Sequence, residues 1–185
     1  ADALGNNVLC QDLDLNSLQG DKEVIDILER MNVVFNSKDT DVKGIINGEL
    51  IATIIDGSQC PDIIPELTAV AALSKGITEI INAGRLRIKE CDRLAAVTSE
   101  LNKLGAKIIE KEDGLLVTGV EKLKGNVEVW SHKDHRIAMT LAIASTRCEE
   151  PIVIKDYECI AKSYPRFFDD FRTLGGDIHE WNVGK

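Results

Sequence analysis

Aromatic side chains make up only 4% of the 185 residues, so Ile, Leu, Val and Ala must pack whatever core there is. No apolar run approaches the roughly 18–20 residues that cross a bilayer, which excludes a membrane-spanning helix. No C-x-x-C pair occurs. The five cysteines (Cys10, Cys60, Cys91, Cys148, Cys159) are scattered and odd in number, so they are expected to be reduced thiols in a cytoplasmic protein. His132 and His135 stand three apart with no cysteine pair beside them, so a solvated turn is expected there and no metal site. The opening Ala1-Asp-Ala-Leu-Gly lacks the basic-then-apolar layout of a signal peptide. It also lacks an initiator Met, which fits a fragment, a tag remnant or a processed start. A net charge of −9 argues against nucleic-acid or membrane binding by the chain as a whole, though an average of this kind can hide a local cationic cluster. The remaining composition, 44% hydrophobic and 29% charged, suits one compact domain.

Within that ordinary composition the chain repeats itself. The segments ending at Met31-Asn32, Leu104-Gly105 and Leu174-Gly175 each carry apolar residues at helical spacing, then an Asn or Gly suited to a left-handed cap, then an extended stretch. A second element recurs 72 residues apart: the stretch from Asp62 to Gly76 and the stretch from Asp134 to Thr146 both read as Ala-rich helices, apolar nearly all round and therefore buried. In the first of these Asp62 is expected at the N-cap, Pro65 in the first turn and Gly76 past the end. The β-runs Thr78-Glu-Ile-Ile and Pro151-Ile-Val-Ile follow. The fold class is therefore mixed α/β (α+β), built of βαβαββ units of about 70 residues packed around buried Ala-rich helices. Residues 1–50 form a partial unit that retains its second helix, over roughly 22–31, and 51–120 and 121–185 form two further units.

Cations collect in the loops that open helices. Arg85, Arg87, Lys89 and Arg93 crowd one loop. With a helix starting near Lys89, that lysine and Arg93 share a face at i,i+4, and Glu90 meets Arg93 at i,i+3. His135 and Arg136 open the second Ala-rich helix, where free backbone N–H groups favour anions. Lys162, in Cys-Ile-Ala-Lys-Ser-Tyr-Pro, is the later repeat's counterpart of the Lys89 loop. Each residue alone has an ordinary explanation: Asp62 and Asp134 as caps, Glu90–Arg93 as a surface pair, Lys162 as a solvated lysine, His135 as a helix-start residue. Their recurrence at corresponding loops of two units is what points to an anion-binding site.

The run Arg87-Ile-Lys-Glu-Cys-Asp-Arg93, then Asp134-His-Arg-Ile-Ala-Met139, then Ala161-Lys-Ser-Tyr-Pro165 strongly resembles the 5-enolpyruvylshikimate-3-phosphate (EPSP) synthase family of enolpyruvyl transferases. The resemblance covers nearly the whole chain and implies the C-terminal domain of a two-domain, monomeric enzyme with the active site between domains. It implies transfer of the enolpyruvyl group of phosphoenolpyruvate to the 5-hydroxyl of shikimate 3-phosphate, without a cofactor, on the route to aromatic amino acids. By the same resemblance Asp62 contacts the attacking hydroxyl, Lys89 binds shikimate 3-phosphate, and Glu90 handles the proton at the methylene of phosphoenolpyruvate. Arg93, Arg136 and Lys162 hold phosphoenolpyruvate, and His135 lies beside them. Where family members carry an asparagine four residues before the binding lysine, this chain has Arg85, a further candidate. The implied partners are the two substrates and the enzyme's own N-terminal domain. Two other readings stay open: the related transferase acting on UDP-N-acetylglucosamine, and a non-catalytic binding scaffold with the same repeat.

Overall fold

The computed structural model describes residues 8–38 and 40–180. The opening stretch read above for its charge layout lies outside them. A 3-10 turn (Gly20–Glu23) leads into α1 (Val24–Arg30), followed by the antiparallel hairpin β1 (Val33–Lys38) and β2 (Asp41–Ile46). Next come β3 (Ile54–Asp56), α2 (Ile64–Ala71), β4 (Ile77–Ile81), α3 (Arg93–Lys103), β5 (Lys107–Lys111) and β6 (Gly114–Thr118). This is the expected order of strand, buried helix, strand, amphipathic helix and two strands. These four strands form one sheet in the order β3-β4-β6-β5, with β3 and β4 parallel and the other pairings antiparallel. Then β7 (Val127–Trp130), α4 (His135–Ser145), β8 (Ile152–Lys155) and α5 (Phe167–Thr173) repeat the first four steps, with β7 and β8 parallel. Residues 174–180 form no strand, so the extended stretch expected after Leu174-Gly175 is absent from the described residues.

Each parallel pair requires a crossover, and α2 and α4 supply it. Seven of the eight residues of α2 are buried, and seven of the eleven in α4. The two helices pack on each other, and α3 packs on both. Ala at positions 69 and 71 in one helix and 138, 142 and 144 in the other lets them approach closely. The buried hydrophobic core holds no aromatic ring among the described residues, as the composition requires. Phe and Tyr collect instead around the half-buried α5, where Tyr157, Tyr164, Phe167, Phe168 and Phe171 meet edge to face or tilted. The helix stops read from the sequence also hold. Asn32, Gly105 and Gly175 all adopt left-handed φ, of 74°, 91° and 98°, and turn the chain out of α1, α3 and α5.

Two local expectations are corrected. The helix after the Arg-rich loop begins at Arg93, four residues later than expected. Asp92 is its true N-cap, accepting a hydrogen bond from the Ala95 N–H at 3.1 Å, while residues 84–88 wind as a 3-10 turn. Lys89 is thus extended, and its nearness to Arg93 is not helical spacing. Asp62 caps nothing. Pro61 starts a 3-10 turn through Ile63 that runs straight into α2, so the winding begins before Asp62 could act as a cap. Its carboxylate is left free to face other side chains.

Candidate anion site

The ends of α2, α3 and α4 converge on Arg93. This side chain is only 2% exposed, yet it carries a full charge. Its guanidinium is surrounded by three carboxylates. Nε donates to Asp134 Oδ2 at 2.8 Å and Nη2 to Asp134 Oδ1 at 3.3 Å. Nη1 donates to Asp62 Oδ1 at 2.8 Å, and Nη2 also reaches Glu90 Oε2 at 2.6 Å. A planar, five-donor group is the side chain that can satisfy three carboxylates at once, and a lysine here could not. Asp134 is fully buried and does two jobs, because its Oδ1 also accepts the Arg136 N–H at 2.8 Å and so caps α4. Sequence reasoning identified the cap and missed the ion pair.

Around this buried centre lies a half-exposed shell. Lys89 Nζ sits 3.0 Å from Asp62 Oδ1, and Arg136 Nη2 is 4.0 Å from Asp62 Oδ2. Lys162 Nζ, from the 3-10 turn Tyr157–Lys162, donates to Glu90 Oε1 at 2.5 Å. The predicted residues Asp62, Lys89, Glu90, Arg93, His135, Arg136 and Lys162 are therefore brought to one place, drawn from two repeat units. Arg85 is not: it is exposed, and its side chain makes no ion pair or hydrogen bond among the described residues. Arg87 also turns away, tied to Asp92, Glu110 and the carbonyls of Lys111 and Glu112.

The cations expected together in these loops do not stand as unanswered charge. Four cations (Lys89, Arg93, Arg136, Lys162) are interleaved with three carboxylates (Asp62, Glu90, Asp134), so much of the positive charge is answered internally. The carboxyl groups respond. The hydrogen bond from Lys162, with Arg93 behind it, holds the Glu90 carboxyl down at about 2 against the cost of burial. Burial pushes Asp62 up, but Lys89, Arg136 and Arg93 outweigh it and leave the carboxyl below its usual value. Burial lowers the His135 ring, which keeps it neutral near pH 7, and its Nδ1 is enclosed without a hydrogen-bond partner. Oxygen and nitrogen atoms of Glu90, Asp134 and His135 do come within 4.8 Å of one another, a spacing that suits a cation. Arg93 already donates to both carboxylates of that trio, so a metal ion would meet a fixed guanidinium.

The loop that delivers Asp134, His135 and Arg136 is itself anchored, by a residue the sequence did not single out. Glu100 of α3 is 3% exposed in its side chain and accepts the Trp130 N–H at 2.8 Å, and its Oε1 lies 3.1 Å from His132 Nε2. His132 and Lys133 both take left-handed φ, 54° and 58°, a costly choice for residues with a Cβ that a fixed partner helps to hold.

Likeness to known proteins agrees with this geometry. The family model described as EPSP synthase (3-phosphoshikimate 1-carboxyvinyltransferase) matches residues 1–171. The protein of that name from Clostridium beijerinckii is 71% identical over all 185 residues, which make up 42% of its own length. Its namesake from Clostridium botulinum (strain Alaska E43) is 68% identical over the whole chain and 43% of that protein. The solved EPSP synthase of Acinetobacter baumannii superposes with a TM-score of 0.82 at 27% identity, over 94% of this chain and 42% of that one. The chain thus spans less than half the length of the relatives it matches, and by motif, repeat and fold alike it belongs to the EPSP synthase family.

Proposed function

We propose that the chain is the C-terminal domain of a 3-phosphoshikimate 1-carboxyvinyltransferase and forms one wall of its active site, opposite an N-terminal domain. The observation that carries this reading is the convergence of Lys89, Arg93, Arg136 and Lys162, from two repeat units, around the carboxylates of Asp62 and Glu90. Phosphoenolpyruvate and shikimate 3-phosphate together bring two phosphates and two carboxylates. Holding them side by side takes several cations in a site screened from water. The planar Arg fork suits carboxylate and phosphate, and Lys supplies a point charge.

The chemistry divides between the two reactive carboxyl groups. In the addition step a proton goes to C3 of phosphoenolpyruvate while the 5-hydroxyl oxygen of shikimate 3-phosphate attacks C2 and loses its own proton. The tetrahedral intermediate then gives up a C3 proton and expels phosphate, restoring the double bond. Asp62 is assigned the hydroxyl proton and Glu90 the C3 proton. Held near 2, Glu90 is too weak a base and too rarely protonated for that task. The group that lowers it most is Lys162, which this reading also gives to phosphoenolpyruvate. A bound anion that takes over Lys162 and shares Arg93 removes the stabilisation of the Glu90 carboxylate, and its proton affinity rises as the substrate arrives. Substrate binding and acid–base readiness are thus coupled through one ion pair.

The test joins this chain with the N-terminal domain and measures phosphate release from phosphoenolpyruvate that depends on shikimate 3-phosphate. Glu90→Gln should bind both substrates and lose roughly 10²–10⁴ in kcat. Lys162→Ala should raise the KM for phosphoenolpyruvate. Near-normal kcat in a folded Gln variant would mean that Glu90 is only Arg93's surface partner, and the catalytic assignment falls.

A further inference from the structure

We propose that Glu66, a residue with no part in the reading above, makes anion binding at Arg136 proton-linked: its neutral carboxyl leaves this cation open to an outside anion, and its carboxylate competes for it. The inference rests on the anion site itself and not on which group is transferred there.

Seven of the eight residues of α2 are buried, and all of those are apolar except Thr68. Glu66 is the exception, an acid placed in the first turn of a helix that otherwise faces the core. Its Oε2 is shut off from solvent and has no hydrogen-bond partner among the described residues. Thr68, two residues on in the same helix, is by contrast satisfied by the Ile64 carbonyl at 2.7 Å. Glu66 is partly exposed as a residue, but an enclosed carboxylate oxygen without a donor is costly, whereas the protonated acid pays much less, so the enclosure of Oε2 favours the neutral form. Burial accordingly pushes this carboxyl up to about 7, against the pull of Arg136 and Arg93, with Asp134 pushing the same way as burial.

The charges that face it belong to the site. Arg136 comes from α4 and Arg93 from α3, with Asp134 at the α4 cap, while Asp62 lies one turn earlier on the same helical entry. Arg136 is the least committed of the cations, at 4.0 Å from Asp62 and 28% exposed. An ionised Glu66 lowers the potential at Arg136. By linkage, an anion bound in front must raise the proton affinity of Glu66 by the same factor by which deprotonation weakens the anion. The neighbouring His135 does not mimic the effect above pH 7, because burial has already lowered its proton affinity.

Sulfate is the suitable probe, since its charge does not change between pH 6 and 8.5. In the 185-residue chain, followed by amide and Arg Nε shifts, sulfate affinity should fall about five- to tenfold from pH 6 to 8.5, the equivalent of a shift of up to about one pKa unit. Glu66→Gln, isosteric with the neutral acid, should bind sulfate at every pH as the parent does at pH 6, with less than a twofold drift. As a check independent of any variant, the 13C titration of the Glu66 carboxyl in the parent should move to higher pH when sulfate is added. Parallel pH profiles for the parent and the Gln variant, or a Glu66 titration indifferent to sulfate, would overturn the inference and leave the anion site standing. No sulfate binding at any pH would overturn both.

Discussion

Asp62 and Asp134 occupy the same place in successive repeat units, 72 residues apart, each just ahead of a buried Ala-rich helix. They do different work. Asp134 has no exposed side-chain surface, caps α4 and binds Arg93 through both oxygens. Asp62 is 37% exposed, caps nothing, and faces Lys89, Arg93 and Arg136 across the open rim. The two loops entering the amphipathic helices differ in the same sense. Arg93 stands buried at the head of α3, while Lys162, 61% exposed, ends a 3-10 turn before an α5 that buries none of its residues. Each unit thus supplies one member of the buried centre, Arg93 or Asp134, and one of the half-exposed rim, Asp62 or Lys162. The repeat puts like residues in like places, and burial then separates a fixed copy from a half-exposed one.

The sharpest way to break that comparison is to remove the two aspartates in turn. Asp134→Ala deletes the cap and the best partner of a buried guanidinium, and should cost about 3–5 kcal/mol in urea denaturation. Asp62→Ala should cost less, about 1 kcal/mol, because its carboxylate is 37% exposed and Arg93 keeps its bonds to Asp134 and Glu90. Equal losses would mean that burial does not separate the copies. A smaller effect comes from pH, where two glutamates of the same unit behave oppositely. Glu66 is raised to about 7, so the folded state holds a proton that the unfolded chain has shed, and stability should fall as pH climbs from about 4.5 through 7. Glu66→Gln should therefore stabilise the chain by about 1–3 kcal/mol at pH 8 and barely at pH 4.5. Glu90 is depressed to about 2, so its contribution is present above pH 4.5 and lost as pH falls toward 2, and Glu90→Gln should flatten that acid limb. Denaturation midpoints taken across pH 2–8 on both variants separate the two trends. The smallest change is expected for Lys162→Ala: its pair with Glu90 is exposed on the lysine side, so the melt should move by no more than about 0.5–1 kcal/mol even as anion binding weakens.

Periodicity and punctuation were legible in the sequence because they depend on local physics. Left-handed stops at Asn32, Gly105 and Gly175 need only a residue that tolerates positive φ, and the Ala-rich runs of α2 and α4 announce burial by having no polar face. The grouping of site residues was legible for a related reason, since loops at the same end of equivalent units must lie together. The start of α3 was misplaced by four residues because Lys89, Glu90 and Asp92 are all acceptable at a helix start, and only the Asp92–Ala95 bond decides among them. Glu100 and Glu66 could not be found at all, since an acid in a helix reads as solvated until its neighbours are known.

The sequence by itself determined the repeat and the class of fold, because hydrophobic spacing and helix caps act over a few residues, and it narrowed the site to the helix-opening loops. The tertiary structure alone decided which of two like aspartates is buried, that carboxylates interleave the cations, and which way each glutamate's proton affinity moves. Charge, burial and hydrogen bonding act through space, and the groups that settle them lie as far apart in the chain as Glu90 and Lys162, 72 residues.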